Sequence, residues 1–113
     1  MLESEIEKKA GELVKRRGGL WLKWVSPGMP GVPDRILISP VGKIVFVELK
    51  QDRGRLSNIQ RWMRDRLRAH GCDVRVAHGL TEVMSIVDEI CPTSVSDGVY
   101  RADQGTKEDR PMA

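Results

Sequence analysis

The sequence of 113 residues contains few cysteines, few aromatic residues and no long hydrophobic run. Its two cysteines, Cys72 and Cys91, are too few for a disulfide framework, so we expect a reducing, cytoplasmic environment. No window approaches the roughly 18 consecutive apolar residues of a membrane span, and the N-terminus lacks the basic and then apolar pattern of a secretion signal. We therefore expect no membrane partner.

Sequence patterns for zinc and for organic cofactors are also missing. The spacing of His70, Cys72, His78 and Cys91 fits no zinc-site pattern. The glycine pair at residues 18–19 lacks the Gly-Lys-Ser of a phosphate loop. The sequence thus predicts neither a zinc site nor an organic cofactor.

What the chain does contain is a concentration of basic residues in one segment. It has 19 Lys and Arg against 16 Asp and Glu, a net charge of +3. Residues 50–68 hold seven basic residues and only two acidic ones. A clustered basic face is typical of proteins that bind a phosphate backbone. The alternative is an ordinary solvated helix face, which many cytosolic proteins have.

Hydrophobic periodicity predicts an α/β domain over residues 1–91. Runs of β-branched and aliphatic residues predict strands at residues 20–25, 35–39, 43–50 and 73–77. One helix precedes the first strand, and two more follow the third and fourth strands. The element order is α-β-β-β-α-β-α, which indicates a mixed sheet of three to four strands flanked by helices. Residues 92–113 lack periodicity, and we expect a disordered C-terminal tail.

Each helix carries a boundary or periodicity signal. Ser57, with Gln60 three residues later, predicts an N-cap and a capping box for the second helix. Thr81 is expected to cap the third helix. The buried stripes expected on the three helices are Ile6–Ala10–Leu13–Val14, Ile59–Trp62–Met63–Leu67 and Val83–Ile86–Val87–Ile90.

Acidic side chains gather at the end of the strongest predicted strand, residues 43–50. Glu48 and Lys50 share one face of it, because side chains alternate across a sheet. A hairpin through residues 40–42 would bring Asp34, which opens the preceding strand, close to both. Converging carboxylates repel each other unless a divalent cation lies between them, and Mg²⁺ accepts one or two carboxylates together with phosphate oxygens. The alternative is that the strand simply reaches the surface by residue 48.

These residues are part of a longer series of short motifs. Pro33-Asp34 is followed, after thirteen residues, by Glu48-Leu49-Lys50. The segments ESEIE, KWVSPG, GVPDRI, FVELK and LSxxQ occur in that order between residues 3 and 60. Over about residues 1–90 the chain resembles stand-alone VRR-NUC domains of phage and bacterial type, in the PD-(D/E)xK nuclease superfamily.

The resemblance implies a restriction-endonuclease-like fold and an endonuclease that depends on Mg²⁺ or Mn²⁺. Asp34 and Glu48 would hold the metal with the Leu49 carbonyl, and Lys50 would position or activate the attacking water. Gln60 matches the family's glutamine after this strand, although the capping box alone also accounts for it.

The family also carries a glutamate on the first helix. Among the acids available here we prefer Glu7, with Glu3 second, and Glu5 is the third candidate. The alternative for all of them is that N-terminal acids complement a helix dipole.

The resemblance extends to substrate and assembly. Small stand-alone members resemble Holliday junction resolvases, so we expect a homodimer that cleaves branched DNA in the cytoplasm of a bacterial or phage-infected cell. The alternatives are a nuclease for flaps, nicks or single strands, and a non-catalytic DNA-binding module. The residues expected to contact DNA are Lys23, Ser26, Arg35, Arg53, Arg55 and Arg61.

Overall fold

A single mixed sheet and three helices make up the computed structural model, which describes residues 1–93. The elements are α1 (Glu3–Arg16), β1 (Leu20–Lys23), β2 (Arg35–Ile38), β3 (Ile44–Lys50), α2 (Asn58–Ala69), β4 (Val74–His78) and α3 (Gly79–Ile90). The strand order is β1-β2-β3-β4, with antiparallel β1–β2 and β2–β3 pairings and a parallel β3–β4 pairing. The expected α/β class, element order and mixed sheet are confirmed.

The hydrophobic core lies between one face of the sheet and helices α1 and α3. The whole apolar stripe expected on α1 is buried there. From the sheet, Val45, Val47 and Leu49 of β3 enter the core and are at most 1% exposed. Their alternation with Glu48 and Lys50 places those two charged residues on the opposite face, as expected.

That opposite face is apolar along β1, β2 and β3; Trp24 packs on Phe46 with ring centroids 4.9 Å apart, and part of the face is open. Leu20, Leu22 and Ile44 are 54%, 42% and 51% exposed. Helix α2 lies over β4, at the other edge of the sheet from β1. The strand register places the following side chains on this surface, here called the open sheet face: Leu20, Leu22, Ile36, Ile38, Ile44 and Phe46.

The buried stripe expected on α2 is wrong. Of its residues only Met63 is buried, whereas Ile59 and Trp62 are 42% and 46% exposed. The reason is tertiary: α2 lies over the edge strand β4 and therefore has little sheet surface to cover. The predicted capping box is confirmed, since Ser57 Oγ accepts the Gln60 N–H at 3.2 Å and Gln60 Oε1 accepts the Ser57 N–H at 2.9 Å.

The start of α3 also differs from the prediction. Thr81 does not cap this helix, because the helix begins two residues earlier, at Gly79. Gly79 has a φ of +84°, which lets the chain turn from β4 directly into the helix. Strand β1 ends at Lys23, earlier than expected.

The prediction for residues 92–113 lies, from residue 94 onward, outside the described residues. No helix within residues 1–93 has the length and apolar character needed to cross a membrane.

Candidate active site

Two carboxyl groups converge where β2 begins and β3 ends. Arg35 lies opposite Val47 in the β2–β3 hairpin, so Asp34 reaches the last residues of β3. Its Oδ2 accepts the main-chain N–H of Leu49 at 3.0 Å. Asp34 is thereby held beside Glu48, close enough for the two carboxyl groups to share a hydrogen bond. The hairpin thus brings the two acids together as the sequence suggested.

Glu48 is buried, with only 4% of the residue exposed. Burial, followed by the charge of Asp34, raises the pKa of Glu48 to about 8, because both disfavour the ionised carboxylate. The Lys50 ammonium lies 3.8 Å from Glu48 Oε2 and acts in the opposite direction. The lysine is therefore not enough to keep Glu48 ionised at neutral pH.

Gln60 links the start of α2 to this pair of acids. Its Oε1 closes the capping box with Ser57, and its Nε2 donates to Glu48 Oε2 at 3.0 Å. The two interpretations of Gln60 left open by the sequence are compatible, because opposite ends of one amide group make the two contacts. The amide orients Glu48 and is itself oriented by the helix N-terminus.

The acids of α1 have three different surroundings. Glu7 pairs with Arg35 at 2.5 Å, and this contact lowers the pKa of Glu7. Glu5 accepts the Leu2 N–H at 2.8 Å as part of the helix cap. Glu3 is exposed, and its charge contributes to the raised pKa of Glu48. Of these three acids only Glu3 acts electrostatically on Glu48, whereas Glu7, the preferred candidate, is paired with an arginine.

The residues expected to contact DNA fall into two groups. Arg53, Arg55, Arg61 and Lys23 are exposed. Arg35 instead has a side chain only 17% exposed, paired with Glu7 and 5.7 Å from the centre of the Trp21 ring. Its guanidinium is thus already engaged within the fold.

Ser26 belongs to the loop between β1 and β2. It is half-buried, and its carbonyl accepts the Met29 N–H at 3.2 Å. This turn supports the loop that leads to Asp34. The structure assigns Ser26 no other hydrogen bond within residues 1–93.

His78 also lies at this site, although the sequence suggested for it only a zinc site, which its spacing excluded. It ends β4, and in the parallel β3–β4 pairing it lies beside Lys50. Its ring Nδ1 is 3.5 Å from Glu82 Oε1. The sequence signal that could have identified His78 was its position at the end of a strand, since the carboxyl ends of neighbouring parallel strands meet at one edge of a sheet.

The donor atoms present suit a hard divalent cation. No group of three or more His, Cys, Asp and Glu side chains within residues 1–93 is placed to hold a metal ion. Mg²⁺, however, requires only one or two carboxylates and keeps several waters. The observation that fits it is the raised pKa of Glu48, caused first by burial and then by the charge of Asp34, because a divalent cation between the two groups would favour the ionised carboxylate.

This arrangement has the parts needed to hydrolyse a phosphodiester. A cation held by two carboxylates neutralises charge on the phosphate and lowers the pKa of a bound water. The Lys50 side chain is 16% exposed, so its ammonium is partly accessible from solvent next to the carboxyl pair. An ammonium there can hold a phosphate oxygen or polarise the attacking water.

Comparison with known proteins relates this geometry to a family. The model of the VRR-NUC domain family matches residues 3–81 of this chain. A solved structure named "VRR_NUC domain" has a TM-score of 0.71 and 31% sequence identity, covering 76% of this chain and 94% of that chain. A second, "VRR_NUC domain protein", has a TM-score of 0.66 at 19% identity, covering 80% and 88%, and supports the fold alone.

A curated protein also matches part of the chain. "Putative nuclease p44" of Acyrthosiphon pisum secondary endosymbiont phage 1 is 52% identical over 48 residues, which is 42% of this chain. The match covers 52% of that protein, so this chain spans about half the length of the curated relative it matches.

Proposed function

This chain belongs to the VRR-NUC domain family, and on that premise we propose that it is a metal-dependent endonuclease that hydrolyses phosphodiester bonds in DNA. The observation that carries the proposal is the convergence of half-buried Asp34 on buried Glu48 beside Lys50. Burying like charges destabilises a fold, so the pair needs a reason outside folding. Binding a catalytic divalent cation is such a reason.

The side chains at the site have separate tasks in this proposal. Asp34 and Glu48, with the Leu49 carbonyl, would hold Mg²⁺ or Mn²⁺, which when bound supplies charge neutralisation and an activated water. The Leu49 N–H holds Asp34 in place at 3.0 Å, and the Gln60 amide orients Glu48 at 3.0 Å. Lys50 positions the attacking water or a phosphate oxygen. Glu3 is the acid of α1 best placed to assist, through charge rather than contact.

The proposed assembly is a homodimer joined through the open sheet face. This surface is apolar and uncharged, so it is complementary to its own copy, as a two-fold interface requires. Its strand β1 is an edge of the sheet, and such edges are normally covered or paired. Glu48 and Lys50 lie on the same side of β3 as Phe46. A dimer through this face carries two active sites, which suits paired cuts in a symmetric four-way junction.

A cleavage assay on defined DNA structures tests the proposal. Labelled four-way junction, flap, nicked duplex, plain duplex and single-stranded DNA are incubated with the protein in Mg²⁺, Mn²⁺ or EDTA. We expect paired symmetric nicks in the junction that disappear in EDTA and in Lys50→Ala. The matched control is Lys9→Ala, an exposed lysine of α1, which should cleave like the unmodified protein.

The outcomes separate the alternatives. Cleavage of flaps, nicks or single strands alone keeps the mechanism and replaces the substrate. Tight binding of DNA without cleavage in either metal overturns the nuclease proposal in favour of a binding module. Size-exclusion chromatography with light scattering that gives a monomer at micromolar concentration overturns the dimer.

A further inference from the structure

A small cavity opens beside the candidate active site, between α2 and β4. Its volume is about 230 Å³. Two of its lining residues, Val76 and His78, are the parallel register partners of Glu48 and Lys50. The cavity is therefore one strand spacing, about 4.8 Å, from the strand that carries the proposed catalytic groups. Side chains that line it include Arg55, Leu56, Arg61, Arg64, Val76 and His78.

Most of the positive charge of the arginines that line this cavity is not neutralised by acidic partners. Arg61 donates to two neutral acceptors, the Leu56 carbonyl at 3.2 Å and the Asn58 Oδ1. Arg55 is exposed and has no hydrogen bond or ion pair within residues 1–93. Arg64 pairs with Asp65 at 3.0 Å, but that carboxylate is 66% exposed. Exposed ion pairs are weak, so the cavity keeps a net positive charge.

The nearby acid Glu82 does not reverse this balance. It accepts the His78 N–H at 2.7 Å and lies 3.5 Å from the ring Nδ1, with 56% of its side chain exposed. No acidic residue is among the residues that line the cavity. The cavity thus combines guanidinium groups from α2 and the β3–α2 loop with an imidazole at the end of β4.

We infer that this cavity binds a second phosphate group of the nucleic acid, separate from the phosphate that is cleaved. The inference rests on the proposed function and specifies how its substrate is held. A planar guanidinium binds phosphate through paired N–H donors, and Arg61 is held in place for this by its two neutral partners. An internal phosphodiester and a terminal phosphate present the same chemistry to these donors.

The first test measures binding without catalysis. Inorganic phosphate is titrated into the metal-free protein in EDTA, and ¹H–¹⁵N NMR follows the backbone amides. We expect saturable shifts concentrated at residues 54–56, 76 and 78. Arg61→Gln should weaken phosphate binding about tenfold, the scale of a lost charge-assisted contact. Arg64→Gln is the second variant, since its only partner within residues 1–93 is the exposed Asp65.

The second test uses DNA in EDTA at several salt concentrations. Loss of one phosphate contact lowers the slope of log affinity against log salt by about 1. We expect this change for Arg61→Gln and Arg64→Gln. The matched control is Arg16→Gln, an exposed arginine at the end of α1, which should leave the slope unchanged.

Oligonucleotides with a 5′-phosphate or a 5′-hydroxyl distinguish the two sources of phosphate. A terminal site binds the 5′-phosphate form more tightly, and Arg61→Gln removes the difference. An internal site binds both forms equally, and the variant weakens both. Phosphate shifts spread evenly over the basic surface, or variants that bind like Arg16→Gln, overturn the inference.

Failure of this inference and failure of the proposed function give different results. If the protein binds phosphate in the cavity but cleaves no DNA, the cavity remains and the nuclease proposal falls. If it cleaves DNA in a Lys50-dependent manner while the cavity variants behave like the control, the nuclease proposal stands and the phosphate subsite falls.

Discussion

Replacing Glu48 by glutamine should stabilise the metal-free protein at neutral and basic pH. In the fold the pKa of Glu48 is raised from 4.5 to about 8. A carboxyl whose pKa is raised on folding favours the fold most below its unfolded pKa, and this contribution is lost as the pH rises. Glutamine resembles protonated glutamate in shape, and its amide oxygen can still accept from Gln60. It therefore removes the pH-dependent penalty with little change in packing.

The magnitude follows from the two pKa values. Their difference of about 3.5 corresponds to a penalty of about 5 kcal/mol well above pH 8, at about 1.4 kcal/mol for each pKa unit. At pH 7 folded Glu48 is still mostly protonated, and the penalty for the fold is about 3 kcal/mol. An effect of that size is a substantial part of the stability of a small domain.

The assay is urea unfolding in EDTA between pH 4.5 and 8.5. The free energy of unfolding of the unmodified protein should fall with rising pH, relative to a nearly pH-independent Glu48→Gln, and the two should converge near pH 4.5. Added Mg²⁺ should stabilise the unmodified protein and not the variant. Glu12→Gln, at an exposed position of α1, is the control and should follow the unmodified protein. Equal stability of Glu48→Gln and the unmodified protein at pH 8 in EDTA would refute the reasoning.

Three further predictions concern the rest of the described chain. Gln60→Ala removes half of the capping box and the contact to Glu48. Thermal unfolding should therefore show a free energy of unfolding lower by about 1 kcal/mol, and the rate of cleavage should fall tenfold or more. Stability equal to the unmodified protein would contradict the capping role. Arg75 holds the pKa values of Asp73 and Glu89 below their ordinary values. These ion pairs stabilise the fold above pH 4.5, and this stabilisation is lost when acidification protonates the carboxylates. Arg75→Gln should therefore unfold at a lower urea concentration than the unmodified protein at pH 7. Near pH 2 the two proteins should unfold at the same urea concentration. Leu22→Glu places a charge on the open sheet face and should convert the proposed dimer to a folded monomer in light scattering; an unchanged dimer mass would place the interface elsewhere.

The sequence correctly predicted those elements whose own pattern of apolar residues matches the side chains that are buried. Strand β3 alternates between core and opposite face as its sequence does, and α1 buries its complete apolar stripe. Helix α2 has an equally regular pattern and still leaves Ile59 and Trp62 exposed. Periodicity identifies the apolar side of a helix but not how much of the sheet lies beneath it. The area of sheet beneath α2 depends on the position of this helix over an edge strand.

The candidate site, like the fold, could be predicted from the sequence only in part. Asp34 and Glu48 could be brought together from a hairpin and strand alternation alone. The preference for Glu7 over Glu3 had little support in the sequence pattern, because the two residues are one turn apart on α1 and share a helix face. In the structure the two differ because Arg35 pairs with Glu7, and only the strand register shows that Arg35 faces α1. His78 was missed for a related reason, since its place beside Lys50 depends on the parallel pairing of β3 and β4.

Helix α2 depends on the site as much as the site depends on the helix. Apart from Met63 it buries no residue, so core packing holds it weakly. The Gln60 amide joins its first turn to the buried Glu48 at 3.0 Å, and burial makes such a contact stronger than one on the surface. The contact also strengthens when its acceptor is ionised, and cation binding favours the ionised carboxylate. Binding of a cation at the carboxyl pair should therefore tighten the attachment of α2, and with it the position of the arginines that line the neighbouring cavity.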